Sequence, residues 1–132
     1  MNEKPTEENN FFFYGSLRKG DYNHSIIDDK NPKAFATITG FKMYSLGSYP
    51  FIVETKNEED TVFGEIYTNL TQNEIDYIDR MELGAGYRRK LGKVTADNGK
   101  EYEIVIYTQD YEGVVPHTPV DDGDWLKFKK KE

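Results

Sequence analysis

Six or seven apolar runs of strand length, punctuated by Gly, Pro and Asn, surround a single strong helix signal in this chain of 132 residues. Many short strands joined by tight turns favour a closed or nearly closed barrel, antiparallel or mixed, with the helix packed on it. A flat open sheet would leave long apolar edges exposed, which proteins avoid. The expected fold class is therefore α+β: a small β-barrel with one main helix and short helical pieces. The length fits one domain. The expected organisation is a disordered polar segment over 1–9, a single domain over 10–128 and a basic solvated tail over 129–132.

The runs read as follows. "NFFFYGS" is continuous rather than alternating, so it is a short strand buried on both faces. "GSLRKGDYNHS" is a loop and "HSIIDD" one short helical turn. "AFATITGFKMYSL" gives two strands about Gly40. "YPFIVET" is a strand with Pro50 at its entry, where a missing N–H is least harmful. In the strand "TVFGEIYTN", Gly64 marks a bulge or a close backbone approach. "TQNE" at 71–74 is a capping box that opens the helix. Ile75 and Ile78 share one face, and Gly84 is the expected C′ residue. "GYRRKLGKVTA" and "EYEIVIYTQ" form a hairpin through Asn98-Gly99. "DDGDWLKF" closes the chain as a short helix or turn.

Composition excludes several chemistries. With no cysteine, disulfides, thiolate catalysis and Cys-ligated zinc are absent. Only His24 and His117 are available, so a His-rich metal site is absent too. No metal and no cofactor is expected. A net charge of −7 makes a nucleic-acid backbone a poor partner. No apolar run approaches the roughly 20 residues of a membrane helix, and Phe11–Tyr14 lacks the basic flank of a signal peptide. A cytoplasmic protein acting on a small molecule is expected, with no membrane partner.

Glu82 breaks the helix pattern. It follows Ile78 by four residues and Ile75 by seven, on the apolar stripe. It also sits in the last turn, where the helix dipole favours cations. Burial and dipole both push its carboxyl towards neutrality, as a general acid/base requires. The alternative is a frayed helix end with Glu82 paired to Arg88 or Arg89 at the surface.

The loop after "FFFY" is the second candidate. Gly15 is free to take a positive φ and admit a ligand closely. Successive N–H groups there form a nest for a carboxylate, phosphate or oxyanion. The alternative is an ordinary strand exit. The spacing of a phosphate-cradling G-x-x-x-x-G-K-[ST] loop is absent. Ser16 lacks both the G-x-S-x-G elbow and a clear base. Arg18 either attracts an anion or is solvated, and Lys19 reads as solvated.

Together these pieces resemble the γ-glutamylcyclotransferase-like family, in its γ-glutamylamine cyclotransferase and avirulence-induced-gene branch. "FFFYGSLRKG" is similar to the Tyr-Gly-[Ser/Thr]-Leu-Arg-x-Gly signature, and His24 follows at the usual distance. "GFKMYSLGSYPFIV" at 40–53, "VFGEIY" at 62–67, "IDYIDRMELGAGYRRKLGKV" at 75–94 and "DDGDWLKF" at 121–128 fall in the family's order. The resemblance implies a barrel-mouth pocket. It is lined by Tyr14, Gly15, Ser16 and Leu17 as substrate-binding residues, with Glu82 as the catalytic acid/base. It also implies release of 5-oxoproline and a free amine from a γ-glutamyl amide, without cofactor. Non-catalytic binding of a small acidic or γ-glutamyl metabolite on the same fold is the alternative, with another amide-processing or regulatory role behind it.

Weaker candidates border the pocket. Tyr87 and Arg89 share one face of the following strand by period two, either at the rim or as structural residues with Arg89 paired to an acidic neighbour. Tyr49 precedes Pro50 at a strand entry near the pocket. Trp125 reads as a core plug, His24 as a scaffold residue, and Glu65 as having no catalytic role.

Overall fold

The computed structural model describes residues 10–21, 23–27, 30–109 and 117–130. The segment 1–9, expected to be disordered, lies outside the described residues, as do Asp28, Asp29 and Lys131. The strands are β1 (Phe11–Phe13), β2 (Ala34–Thr39), β3 (Phe41–Ser45), β4 (Pro50–Glu54), β5 (Thr61–Tyr67), β6 (Arg88–Thr95), β7 (Glu101–Thr108) and β8 (Thr118–Val120). The helices are α1 (Gln72–Gly84) and α2 (Trp125–Lys130), with a 3-10 turn over His24–Ile27.

β1 lies at the centre of a mixed five-stranded sheet ordered β2-β5-β1-β7-β6. It pairs antiparallel with β5 and parallel with β7. Both faces of the sheet are covered here, which is why β1 is apolar throughout. Phe12 points into one core with Met43, Ile52, Ile66, Ile104 and Trp125. Phe11 and Phe13 point into the other, with Ile27, Tyr67 and the α1 residues Ile75 and Ile78. A second sheet, β4-β3-β8, joins the first where the Gln109 N–H donates to the Ile52 carbonyl at 3.0 Å.

The five-stranded sheet curls until its edge strands meet. Ala36 bridges Ala96. The Asp97 N–H donates to the Phe35 carbonyl at 2.8 Å, and the Phe35 N–H donates to Asp97 Oδ1 at 3.3 Å. The result is a half-barrel whose edges find partners, as the edge argument required. The β6–β7 hairpin supplies this closure. Its loop ends at Gly99 with φ of 83°, a three-residue hairpin turn with glycine in the left-handed position.

Several local expectations need correction. The capping box forms: Thr71 Oγ1 accepts from the Glu74 N–H at 3.1 Å, and Glu74 Oε1 accepts from the Thr71 N–H at 2.8 Å. The helix terminator, however, is Gly86 rather than Gly84. Gly84 remains helical, Ala85 caps, and Gly86 takes φ of 93°. Gly64 causes no bulge, since β5 keeps unbroken register with both neighbours. Its role is close approach, because a Cβ there would sit 2.7 Å from the Phe13 carbonyl oxygen. β8 escaped notice because three residues with one buried side chain carry no countable period. The expected basic tail begins inside α2, where Lys129 Nζ reaches the buried Asp21 carboxylate at 2.7 Å.

Candidate active site

Where β1 ends, Tyr14 turns its side chain inward and donates its hydroxyl to the Tyr107 carbonyl at 2.6 Å. The chain then turns over Gly15–Arg18, with the Arg18 N–H donating to the Gly15 carbonyl at 3.0 Å. Among the described residues, the N–H groups of Gly15, Ser16 and Leu17 donate to no acceptor. Gly15 does not adopt the positive φ expected of it. Glycine is required for a different reason: a Cβ would lie 2.9 Å from Pro50 Cγ.

Three side chains hold this loop from behind. Asn23 Nδ2 donates to Ser16 Oγ at 2.9 Å, and its backbone N–H donates to the Ser16 carbonyl at 3.0 Å. His24 Nδ1 lies 3.0 Å from the Leu17 carbonyl, which can only accept, so Nδ1 carries the proton. Arg18 is neither solvated nor aimed at a ligand. It is buried, with Nε 3.1 Å from Glu65 Oε2 and Nη1 2.9 Å from Asp124 Oδ1. Glu65 also accepts from the Lys19 N–H at 2.9 Å and from the Tyr67 hydroxyl at 2.8 Å. A charge pair this deep needs further hydrogen bonds to offset its desolvation, and Lys19, Tyr67 and Asp124 supply them.

Opposite the loop is the C-terminus of α1. Ile75 and Ile78 are buried, and Glu82 continues their stripe, partly buried, without reaching the surface pairing with Arg88 or Arg89 considered above. Burial pushes its carboxyl up to about 7. Among the described residues, no cation and no hydrogen-bond donor reaches it, so nothing offsets that burial.

The loop and the helix end face one cavity of about 310 Å³. It brings together Tyr14, Gly15, Ser16, Leu17, Tyr49, Glu82 and Tyr87. Arg89 is absent from this lining. The strand begins only at Arg88, so Tyr87 and Arg89 do not share a strand face. Tyr87 is buried and donates to the Pro50 carbonyl at 2.6 Å, while Arg89 Nη1 pairs with Asp79 Oδ2 at 2.6 Å. Asn23, Met81, Ala85 and Tyr107 line the cavity without having been anticipated. Met81 and Ala85 flank Glu82 in sequence and were accessible to helix reasoning. Tyr107 was not, since only the parallel β1–β7 pairing brings it there. Among the described residues, Glu82 is the one carboxylic acid that lines the cavity, and no Lys, Arg or His lines it. An anionic ligand group would therefore meet backbone N–H donors rather than a cation.

The family described as "Gamma-glutamyl cyclotransferase, AIG2-like" matches residues 11–127. The chain belongs to this family. It is 30% identical over 121 residues to the gamma-glutamylcyclotransferase family protein YtfP of Escherichia coli, covering 90% of this chain and 97% of that one. It is 28% identical to gamma-glutamylaminecyclotransferase A of Danio rerio, covering 89% of this chain and 73% of the relative. Against AIG2-like protein B of Arabidopsis thaliana it is 29% identical, covering 88% of this chain and 65% of the relative's length. A solved protein from Pyrococcus horikoshii shares the fold with a TM-score of 0.70 at 21% identity, covering 92% of this chain and 93% of the other. A gamma-glutamyl cyclotransferase structure does so at 0.61 and 18% identity, covering 83% and 68%. The family's half-barrel is thus the architecture described above. No helix among the described residues is long and apolar enough to cross a membrane.

Proposed function

We propose that this chain cleaves a γ-glutamyl amide by intramolecular attack of the substrate's α-amine on its own γ-carbonyl. A C–N bond forms within the glutamyl group and the original amide C–N bond breaks. The products are 5-oxoproline and a free amine. The observation that carries this reading is Glu82: a partly buried carboxyl, titrating near 7 and reached by no donor among the described residues, across one cavity from three N–H groups that donate to none of the described acceptors.

In this reading Glu82 takes a proton from the attacking ammonium and returns it to the leaving nitrogen. A group titrating at about 7 suits both halves of that exchange at neutral pH. The N–H groups of Gly15, Ser16 and Leu17 receive the substrate carboxylate or the developing oxyanion. Nucleophile and electrophile belong to one molecule, so holding it folded supplies much of the rate. The apolar wall of Phe12, Phe13, Met81 and Tyr87 excludes water, which would otherwise compete for the carbonyl.

The test is 5-oxoproline release from a panel of γ-glutamyl amides by wild type and Glu82→Gln. The expected result is release by wild type and a loss of about 10²–10⁴-fold in Glu82→Gln, with the fold intact. Equal turnover by both variants would remove Glu82 from the mechanism. Tight ligand binding without turnover by wild type would instead make the site a metabolite receptor.

A further inference from the structure

Three tyrosines crowd the cavity beside Glu82, and none has a hydroxyl proton to spare for it. Tyr14 donates to the Tyr107 carbonyl at 2.6 Å. Tyr87 donates to the Pro50 carbonyl at 2.6 Å. Both acceptors are carbonyls, so the direction of each bond is fixed. The Tyr107 hydroxyl donates to Asp79 Oδ1. Burial, and then the Asp79 carboxylate, keep that phenol protonated well above the usual range.

Asp79 lies three residues before Glu82 on α1, and so on the same side of the helix. Left alone, its charge would repel the ionised form of Glu82. It is not alone: Arg89 on β6 closes on Asp79 Oδ2 at 2.6 Å, with its guanidinium also 5.5 Å above the Phe11 ring. The groups facing Glu82 are therefore Tyr14 from the end of β1, Tyr87 from the α1–β6 link and Tyr107 from β7. Tyr49 joins them at the mouth, and the Asp79–Arg89 pair stands behind Tyr107.

We infer that Asp79 and Arg89, outside the cavity, are positioning residues for Glu82: Asp79 accepts the Tyr107 hydroxyl hydrogen bond, and Arg89 offsets the Asp79 charge. The pair keeps the Tyr107 proton from Glu82, as backbone carbonyls keep those of Tyr14 and Tyr87, without placing an uncompensated charge beside it. Its catalytic meaning rests on the cyclotransferase reading; its electrostatic content does not.

The test is a substrate-free NMR titration of the Glu82 side-chain carboxyl in wild type, Arg89→Met, Asp79→Asn, the double variant and Arg89→Lys. Arg89→Met uncovers the Asp79 charge and raises the Glu82 midpoint by about half a unit to one unit. Asp79→Asn leaves the Arg89 cation and lowers the midpoint by about as much. The double variant returns close to wild type, and Arg89→Lys holds the wild-type value. A purely structural role has no reason to give opposite signs that cancel. Single variants that both shift one way, or that leave the midpoint unmoved, overturn the inference. If the midpoints shift as expected but no γ-glutamyl amide yields 5-oxoproline, the positioning pair stands and the proposed reaction falls.

Discussion

The backbone N–H of Tyr87 donates to the carbonyl of Glu82 at 2.9 Å, and one residue earlier the Gly86 N–H donates to Leu83 at 3.1 Å. This is a Schellman terminator, and its two outermost residues are both cavity residues. The device that ends the helix therefore also fixes the distance between the candidate acid/base and one tyrosine wall.

Gly86 makes this possible, because φ of 93° is a conformation side chains resist. Gly86→Ala is expected to destabilise the fold by about 1–2 kcal/mol, read from the urea midpoint. Activity is expected to fall further than stability alone explains, since Glu82 and Tyr87 lose their shared tether. A stability loss with unchanged kcat/KM at a temperature where both variants are folded would separate the terminator from the site.

Glu82 should leave a signature in stability against pH. Its folded carboxyl titrates at about 7 against 4.5 for the ordinary group. The folded state therefore holds this proton more tightly, and the associated stability is full below about 4.5 and is lost as pH rises through about 7. Glu82→Gln keeps a neutral side chain at every pH. It is expected to match wild type below about pH 4 and to exceed it by up to ~3 kcal/mol above about pH 8. Parallel stability curves for the two proteins across that range would contradict the raised carboxyl.

The loop is expected to depend on the Arg18–Glu65 pair beneath it. Glu65→Gln leaves the buried Arg18 cation with only Asp124, which is partly exposed. Breaking a buried pair from one side costs about 3–5 kcal/mol. Chemical denaturation should show a loss of that size, and adding Arg18→Met should recover part of it. Strict additivity of the two losses would mean that the residues do not act as a pair.

Much of this was legible along the chain. The capping box, the continuous β1 run, the Gly40 break and the Asn98-Gly99 hairpin are local signals, and each formed the expected element. The position of Glu82 on a buried stripe was a matter of helical period, and the structure keeps it there. Arg18 and Glu65 were not legible as partners, because 47 residues separate them and each alone looks like surface charge. Tyr107 went unanticipated for the same reason, and of the two readings of Arg89 the structure keeps the pairing with an acidic neighbour, Asp79, and not the place at the rim: strand period says which residues share a face, but not what stands opposite that face.

The sequence by itself determined most of the strands, the start of α1 and which carboxyl is out of place, because those depend on neighbours within about one turn or one pleat. The tertiary structure alone decided that the Tyr14–Leu17 loop faces Glu82, that Arg18 turns inward, and that Asp79 and Arg89 stand behind Tyr107. Those relations arise when the sheet curls to bring β2 and β6 together and α1 packs over β1. Pairing across such distances is set by burial of whole faces, which no short stretch of chain contains.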